Sequence, residues 1–237
     1  ILRNRIFSAP TGYCDLTREN IATEPMMAYY EAKARGGAAV VHVGEAYVDS
    51  KHGVDIEKYL ALDTDECISP LATVADAIAK HGAVPSIELM HAGMFSSQSY
   101  VDGNQIWAPS ETHVSGTKAG ERLHGADIPE MPEEVIYETI EKYAEAAKRV
   151  QMAGFKMVLL HGGQGAVVGA AVVGVVVELL VVEDRKAHGG EDAGNLLPHS
   201  DHVVIFVGGA AVPTGGVDVR PVGGVGLGAV GVDDQHL

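Results

Sequence analysis

Ala83-Val84-Pro85-Ser86-Ile87-Glu88-Leu89-Met90-His91-Ala92-Gly93 is an apolar run that ends abruptly in polar and small residues. Gly82 punctuates its start, and Val84, Ile87, Leu89 and Met90 read as a buried strand. His91 and Gly93 fall just past its carboxyl end, where α/β proteins place their chemistry. Glu88 is discordant in such a strand. A buried carboxyl costs several kcal/mol unless it is paired, so its presence points to a site rather than to packing.

Three other stretches repeat this arrangement: Arg3–Pro10, Ala38–Glu45 and Phe155–Gly163. Helices are expected between them. Thr23-Glu24-Pro25 is a capped start, followed by Tyr29, Tyr30 and Ala34 and a stop at Gly36-Gly37. Ser69-Pro70 opens a second helix that buries Leu71, Val74 and Ile78 and ends at His81-Gly82. The third has Pro132 in its first turn beside Glu133 and Glu134, and a stripe of Ile136, Ile140, Tyr143, Ala147 and Val150. Pairs Glu138–Lys142 and Glu145–Arg149 suit its wet face, and Gly154 ends it. The polar segment from Ser96 to Pro129 is too long for a plain connector and reads as a lid or binding loop.

Strands alternating with helices, each strand nearly continuous in apolar residues, mean a parallel sheet covered by helices. A barrel and a doubly wound sheet both fit this pattern. The 237 residues, 46% hydrophobic and 21% charged, provide for one domain with a large core. A net charge of −15 argues against nucleic acid or an anionic membrane as partner. Two cysteines, Cys14 and Cys67, make neither a disulfide framework nor a zinc or iron–sulfur pattern, which suits a reducing cytoplasm.

Beyond Gly165 the composition changes. Ala166 to Val182 is almost entirely Val, Ala, Gly and Leu around Glu178. It approaches the length of a membrane helix, but the internal carboxylate, the β-branched residues and the lack of anchoring Trp or Tyr argue against one. Val222 to Gly231 is equally bland, and its Gly226, Gly228 and Gly231 match a dinucleotide fingerprint with no helix to follow. A βαβ unit takes roughly 30 residues or more, so the remaining chain does not hold four more. The last third, residues 166–237, is therefore expected to be an incomplete or partly misassigned end of the domain.

Four motifs carry a family resemblance over roughly Ile1 to Gly165. They are Asn4-Arg5-Ile6-Phe7-Ser8-Ala9-Pro10-Thr11, Ala34-Arg35-Gly36-Gly37-Ala38-Ala39-Val40-Val41, Ile87 to Gly93, and Ala153 to Gly163. In this order, each at a strand end, they resemble the old yellow enzyme family, and within it the NADH:flavin oxidoreductases of the enoate and 2,4-dienoyl-CoA reductase branch. The resemblance implies a single-domain (β/α)8 TIM barrel holding FMN at its carboxyl face. It implies an ene-reductase, with hydride passing from NAD(P)H through the flavin to the C=C bond of an unsaturated acid, thioester or ketone.

On that basis Ala9, Pro10, Thr11 and Gly44 let backbone approach the flavin. Glu88 stands where most relatives have Gln, facing the flavin pyrimidine, and His91 lies beside the same cofactor. A carboxyl at Glu88 accepts from the ring N–H but donates to a carbonyl only when protonated. His161 matches the first histidine of the family's His-Gly-x-His-Gly-Tyr pattern. Gln164 replaces the second, and Ala166 replaces the tyrosine that donates a proton; the resemblance leaves the proton source unassigned, and Tyr13, just past the first strand, is a candidate. Val207 stands at the place of a flavin-contacting arginine. The iron–sulfur cysteines of larger relatives are absent, so a 4Fe-4S cluster and an FAD domain are expected only outside this chain. A cytoplasmic homo-oligomer is expected. Glu88, His91 and His161 as ligands of a metal-dependent barrel hydrolase or lyase, and a non-catalytic flavin-binding subunit, are the alternatives.

Overall fold

The structure, a computed structural model, describes residues 2–114, 122–162 and 204–208. In chain order its elements are β1 (Phe7–Gly12), α1 (Glu24–Arg35), β2 (Val40–Tyr47), β3 (Leu60–Ala61) and α2 (Ile68–Ala79). Then come β4 (Val84–Met90), α3 (Ser97–Val101), β5 (Thr112–His113), β6 (Asp127–Ile128), α4 (Glu133–Met152), β7 (Met157–His161) and β8 (Val204–Gly208). The main sheet runs β1-β2-β4-β7-β8, with β3 attached to β2, and every pairing in it is parallel.

That order decides between the two architectures the pattern left open. In a doubly wound sheet the strand order reverses at a switch point. Here each main strand lies beside its predecessor, and α1 packs on α2 and α2 on α4 in one outer layer. This is the arc of a β/α barrel. Its main core lies between sheet and helices: Met26, Tyr30 and Ala34 from α1, Leu71, Val74 and Ile78 from α2, Ile140, Tyr143, Ala147 and Val150 from α4. Ile87 and Leu89 of β4 and Val158 and Leu160 of β7 join it from the strands. Strand side chains alternate between faces, so Ser86, Glu88 and His161 point into the barrel.

Several boundaries differ from the sequence expectation for physical reasons. β1 starts at Phe7 because Arg3 and Asn4 are engaged at the helix ends. Arg3 donates to the carbonyls of Ala34, Ala38 and His81 at 2.6–2.7 Å, and Asn4 to that of Gly37 at 2.9 Å. The strand then passes through Pro10, which an edge strand tolerates. Thr23 caps α1 as expected, its hydroxyl accepting from the Met26 N–H at 3.4 Å. Pro132 is the cap before α4 rather than part of its first turn, with ψ of 150°. Lys142 does not pair with Glu138 but reaches Asp49 at 2.6 Å, and Arg149 adds Asp65 at 2.8 Å to its bond with Glu145.

The segment from Ser96 to Pro129 is folded where it is described. It carries α3 and the antiparallel β5–β6 pair around a small core of Ile106, Ala108, Val114, Leu123, Ala126 and Ile128. Among the described residues no helix is long and apolar enough to cross a membrane. Cys14 is exposed, Cys67 is buried, and both are free. β8 pairs in register with β7, Val207 opposite Leu160. Ala166–Val182 and Val222–Gly231 lie outside the described residues.

Candidate active site at the strand ends

The inner face of the arc carries two polar layers. In the deeper one, His42 Nδ1 of β2 and Ser86 Oγ of β4 share a hydrogen bond of 2.7 Å. Burial pushes the His42 imidazole below its usual range. Two residues further along β4, Glu88 meets His161 of β7, Nδ1 to Oε1, at 3.0 Å. A carboxylate only accepts, so His161 Nδ1 donates and Nε2 is left for a ligand. The bonded Glu88 carboxylate holds the imidazole above its ordinary range, against the opposite effect of burial. The Glu88 side chain is 7% exposed and that of His161 23%, so the pair is sheltered yet reachable.

The ends of β1 and β2 form the adjoining wall. Ala9 and Thr11 are exposed and Pro10 half-buried, a surface of small side chains on the strand next to β2. Gly44 is needed here for the packing of the wall itself. A Cβ on it would lie 2.6 Å from the Thr11 nitrogen and 2.8 Å from Pro10 Cβ, so the glycine permits the close approach of β1 to β2. Tyr30 of α1 ties this wall together, its hydroxyl donating to the Thr11 carbonyl at 2.6 Å. Glu45, the next residue, is half-buried. Burial first, then the charges of Asp55 and Glu88, raise its carboxyl above the usual range. The sequence marks Glu45 only as the end of a strand; the structure puts it inside β2, which runs on to Tyr47, so like Glu88 it is a carboxyl within an apolar strand.

His91 is 1% exposed and belongs to a different cluster. The Gly93 N–H donates to its Nδ1 at 3.1 Å, which places the ring proton on Nε2, 3.9 Å from Asp49 Oδ2. Asp49 also takes Lys142 at 2.6 Å and His52 at 3.1 Å. A Cβ on Gly53 would lie 2.7 Å from the His91 ring, so this loop packs directly on the imidazole. Tyr13 is drawn to α1, its ring 5.0 Å from that of Tyr29. Gln164 and Ala166 lie outside the described residues. Among the described residues no group of three or more His, Cys, Asp or Glu is arranged to hold a metal ion.

Comparison with known proteins places this geometry. Residues 1–168 match the sequence profile of the NADH:flavin oxidoreductase / NADH oxidase family. The chain belongs to that family. It is 28% identical over 169 residues to an NADH oxidase of Thermoanaerobacter brockii, covering 71% of this chain and 25% of that protein. It is 32% identical over 162 residues to an NADH:acrylate oxidoreductase of Vibrio harveyi, covering 68% of this chain and 15% of the relative. The chain thus spans a quarter or less of these two relatives. Its fold is that of an Old Yellow Enzyme from a Pichia species, with a TM-score of 0.64 and 24% identity over 87% of this chain and 56% of that one.

Proposed function

We propose that this flavin oxidoreductase chain is the FMN-binding barrel of an ene-reductase acting on an α,β-unsaturated acid, thioester or ketone. The observation that carries the reading is the Glu88–His161 pair at the ends of adjacent inner strands, in a chain matched to the family over residues 1–168. The name of the Vibrio harveyi relative, which pairs NADH with acrylate, supports a small unsaturated acid as substrate. Two free cysteines and a charge of −15 support a cytoplasmic protein with no nucleic-acid or membrane partner. A homo-oligomer is part of the same proposal, as is any 4Fe-4S or FAD domain lying outside this chain.

The residues at the mouth fit a flat ring with a polar edge. Ala9, Pro10 and Thr11 offer small side chains and backbone, Gly44 keeps that wall close, and Glu88 offers an acceptor for a ring N–H. His91 supports the end of β4 from behind through Asp49 and Gly53. FMN bound there would take hydride from NADH or NADPH and deliver it to the C=C bond. His161, made more cationic by Glu88, presents Nε2–H to the substrate carbonyl and stabilises negative charge developing on its oxygen. Gln164, three residues on, is the second donor in this reading, and Tyr13 is the candidate proton source for the α-carbon.

Purified protein should be yellow and bleach with dithionite, and the reduced form should turn over acrylate- or cinnamate-like acids. A colourless protein that takes up no FMN would refute the proposal, and FMN binding without turnover of any enone or enoate would favour the non-catalytic subunit. His161→Ala should slow reoxidation by substrate at least tenfold, about 1.4 kcal/mol of transition-state stabilisation. Reduction by nicotinamide should change much less. Equal losses in both half-reactions would count against the assigned role.

A further inference from the structure

Two irregularities of the sheet adjoin each other in the β1–β2 wall. Along β1, Ser8 pairs with Val41 and Thr11 with Val43, so three steps on β1 answer two on β2. Along β2, Val43 pairs with Ile87 and Ala46 with Leu89, again three steps against two. An extra residue of this kind disrupts the ladder locally and turns the side chains beyond it to the opposite face. Val41, Val43, Ala46 and Val48 all lie in the core between sheet and helices, which an unbroken alternation could not give. In a regular strand Glu45 would share that core face with Val41 and Val43, and the extra residue at Gly44-Glu45 removes it from there.

A bulge is a soft point unless its backbone groups are bonded elsewhere. Here one side chain reaches a backbone group at each irregularity. Tyr30 of α1 is fully buried; its hydroxyl donates to the Thr11 carbonyl at 2.6 Å, and the Gly44 N–H donates to it at 3.4 Å. A phenol gives one proton and accepts on its lone pairs, so both bonds hold at once. The ring lies edge-on to Tyr29, centroids 5.0 Å apart, on the face of α1 that also buries Met26 and Ala34. Packing therefore belongs to the ring, while the hydroxyl serves the two strands. We propose that Tyr30 is a positioning residue for the flavin chemistry: its hydroxyl pins both bulges, so that the Ala9–Thr11 wall presents one fixed surface to the FMN ring. The assignment rests on the flavin reading above. It adds a residue from the outer helix layer that acts through the wall, without touching cofactor or substrate.

A misplacement of about 1 Å at a reacting centre costs on the order of a hundredfold in rate. A wall freed to shift by part of that distance should cost about tenfold. Tyr30→Phe keeps the ring and removes the pin. Its FMN-loaded form should be reduced by NADH about tenfold more slowly in single turnover, counted per bound flavin so that weaker loading or lower stability does not enter. Tyr29→Phe, which alters the neighbouring ring on the same helix, should keep the wild-type rate. A wild-type rate per bound flavin in Tyr30→Phe would overturn the positioning role and leave the flavin reading standing, whatever happens to its stability. Failure of the wild type to bind FMN, or to be reduced once it is bound, would overturn both. Amide hydrogen exchange in the flavin-free wild type needs no variant, and so covers the case in which Tyr30→Phe does not fold. There the Gly44 amide should be protected as strongly as those of Val41 and Val43, which pair with both neighbouring strands. Free exchange at Gly44 would overturn the proposal.

Discussion

Gly44→Ala is the sharpest test of how the mouth is built. The added methyl would sit 2.6 Å from the Thr11 nitrogen, 2.8 Å from Pro10 Cβ and 2.9 Å from the Pro10 carbonyl carbon. Optimal contacts between such atoms are about 3.5–4.0 Å, so β1 has to retreat by roughly 1 Å. Two of the three obstructing atoms are backbone, and the third belongs to a proline ring; none can rotate away. Pairing resumes at Thr11 with Val43 and Gly12 with Gly44 after a shift in register, so the strain falls where β1 is pinned. Tyr30, bonded to the Thr11 carbonyl, resists the retreat from the helix side. Overpacking of this kind costs about 1–3 kcal/mol, and rigid surroundings put this site near the upper end. In urea that lowers the midpoint by about 1 M. Gly12→Ala is the control: its methyl meets only the mobile end of Glu45 at 3.3 Å, for a loss of about 0.5 kcal/mol or less. Equal midpoints for Gly44→Ala and the wild type would refute the packing argument, and with it the placement of Ala9–Thr11 in the wall.

Three further outcomes follow from other parts of the fold. Arg3→Ala removes the donor that ties the ends of α1 and α2 to the base of the sheet, and should cost about 1–2 kcal/mol in urea, discounted because the residue is exposed. Lys142→Met leaves the buried Asp49 carboxylate without its main partner. Burial alone would raise Asp49; Lys142, with His91 and His52, holds it instead at about 2. The pair therefore adds stability above the unfolded carboxylate range that is lost as pH falls toward 2, and the variant should be about 2–3 kcal/mol less stable at neutral pH, with a shallower acid limb. His91 is held at about 4, chiefly by burial. Its folded value lies below the unfolded one, so the wild type should lose roughly 3 kcal/mol between about pH 6.5 and 4. His91→Asn, which keeps an acceptor for the Gly93 N–H, should remove that slope in calorimetric scans; an unchanged slope would count against a neutral, buried imidazole.

Much of this protein was legible before any coordinate was known, because its secondary structure is driven by local patterns. The burial of Leu71, Val74 and Ile78, and of Ile140, Tyr143, Ala147 and Val150, follows from helical spacing of apolar residues. Glu88 stands out as a carboxyl inside an apolar strand and His161 as a polar residue at the end of one; both demand partners, and the structure makes them partners of each other. Lys142 was misread because an i to i+4 neighbour on the same helix is worth only a few tenths of a kcal/mol. A buried carboxylate from 93 residues away outbids it.

The sequence by itself determined the four long parallel strands, which faces of the helices are apolar, and that polar side chains stand in and just past those strands. These depend on spacing within about ten residues, where chain connectivity already brings the side chains together. Only the tertiary structure decided that the strands are wound in one direction, that Gly44 serves the β1–β2 contact, that His91 turns to Asp49, and that Glu88 meets His161. Each of those turns on distances between groups far apart in the chain, set by the packing of whole elements rather than by any local pattern.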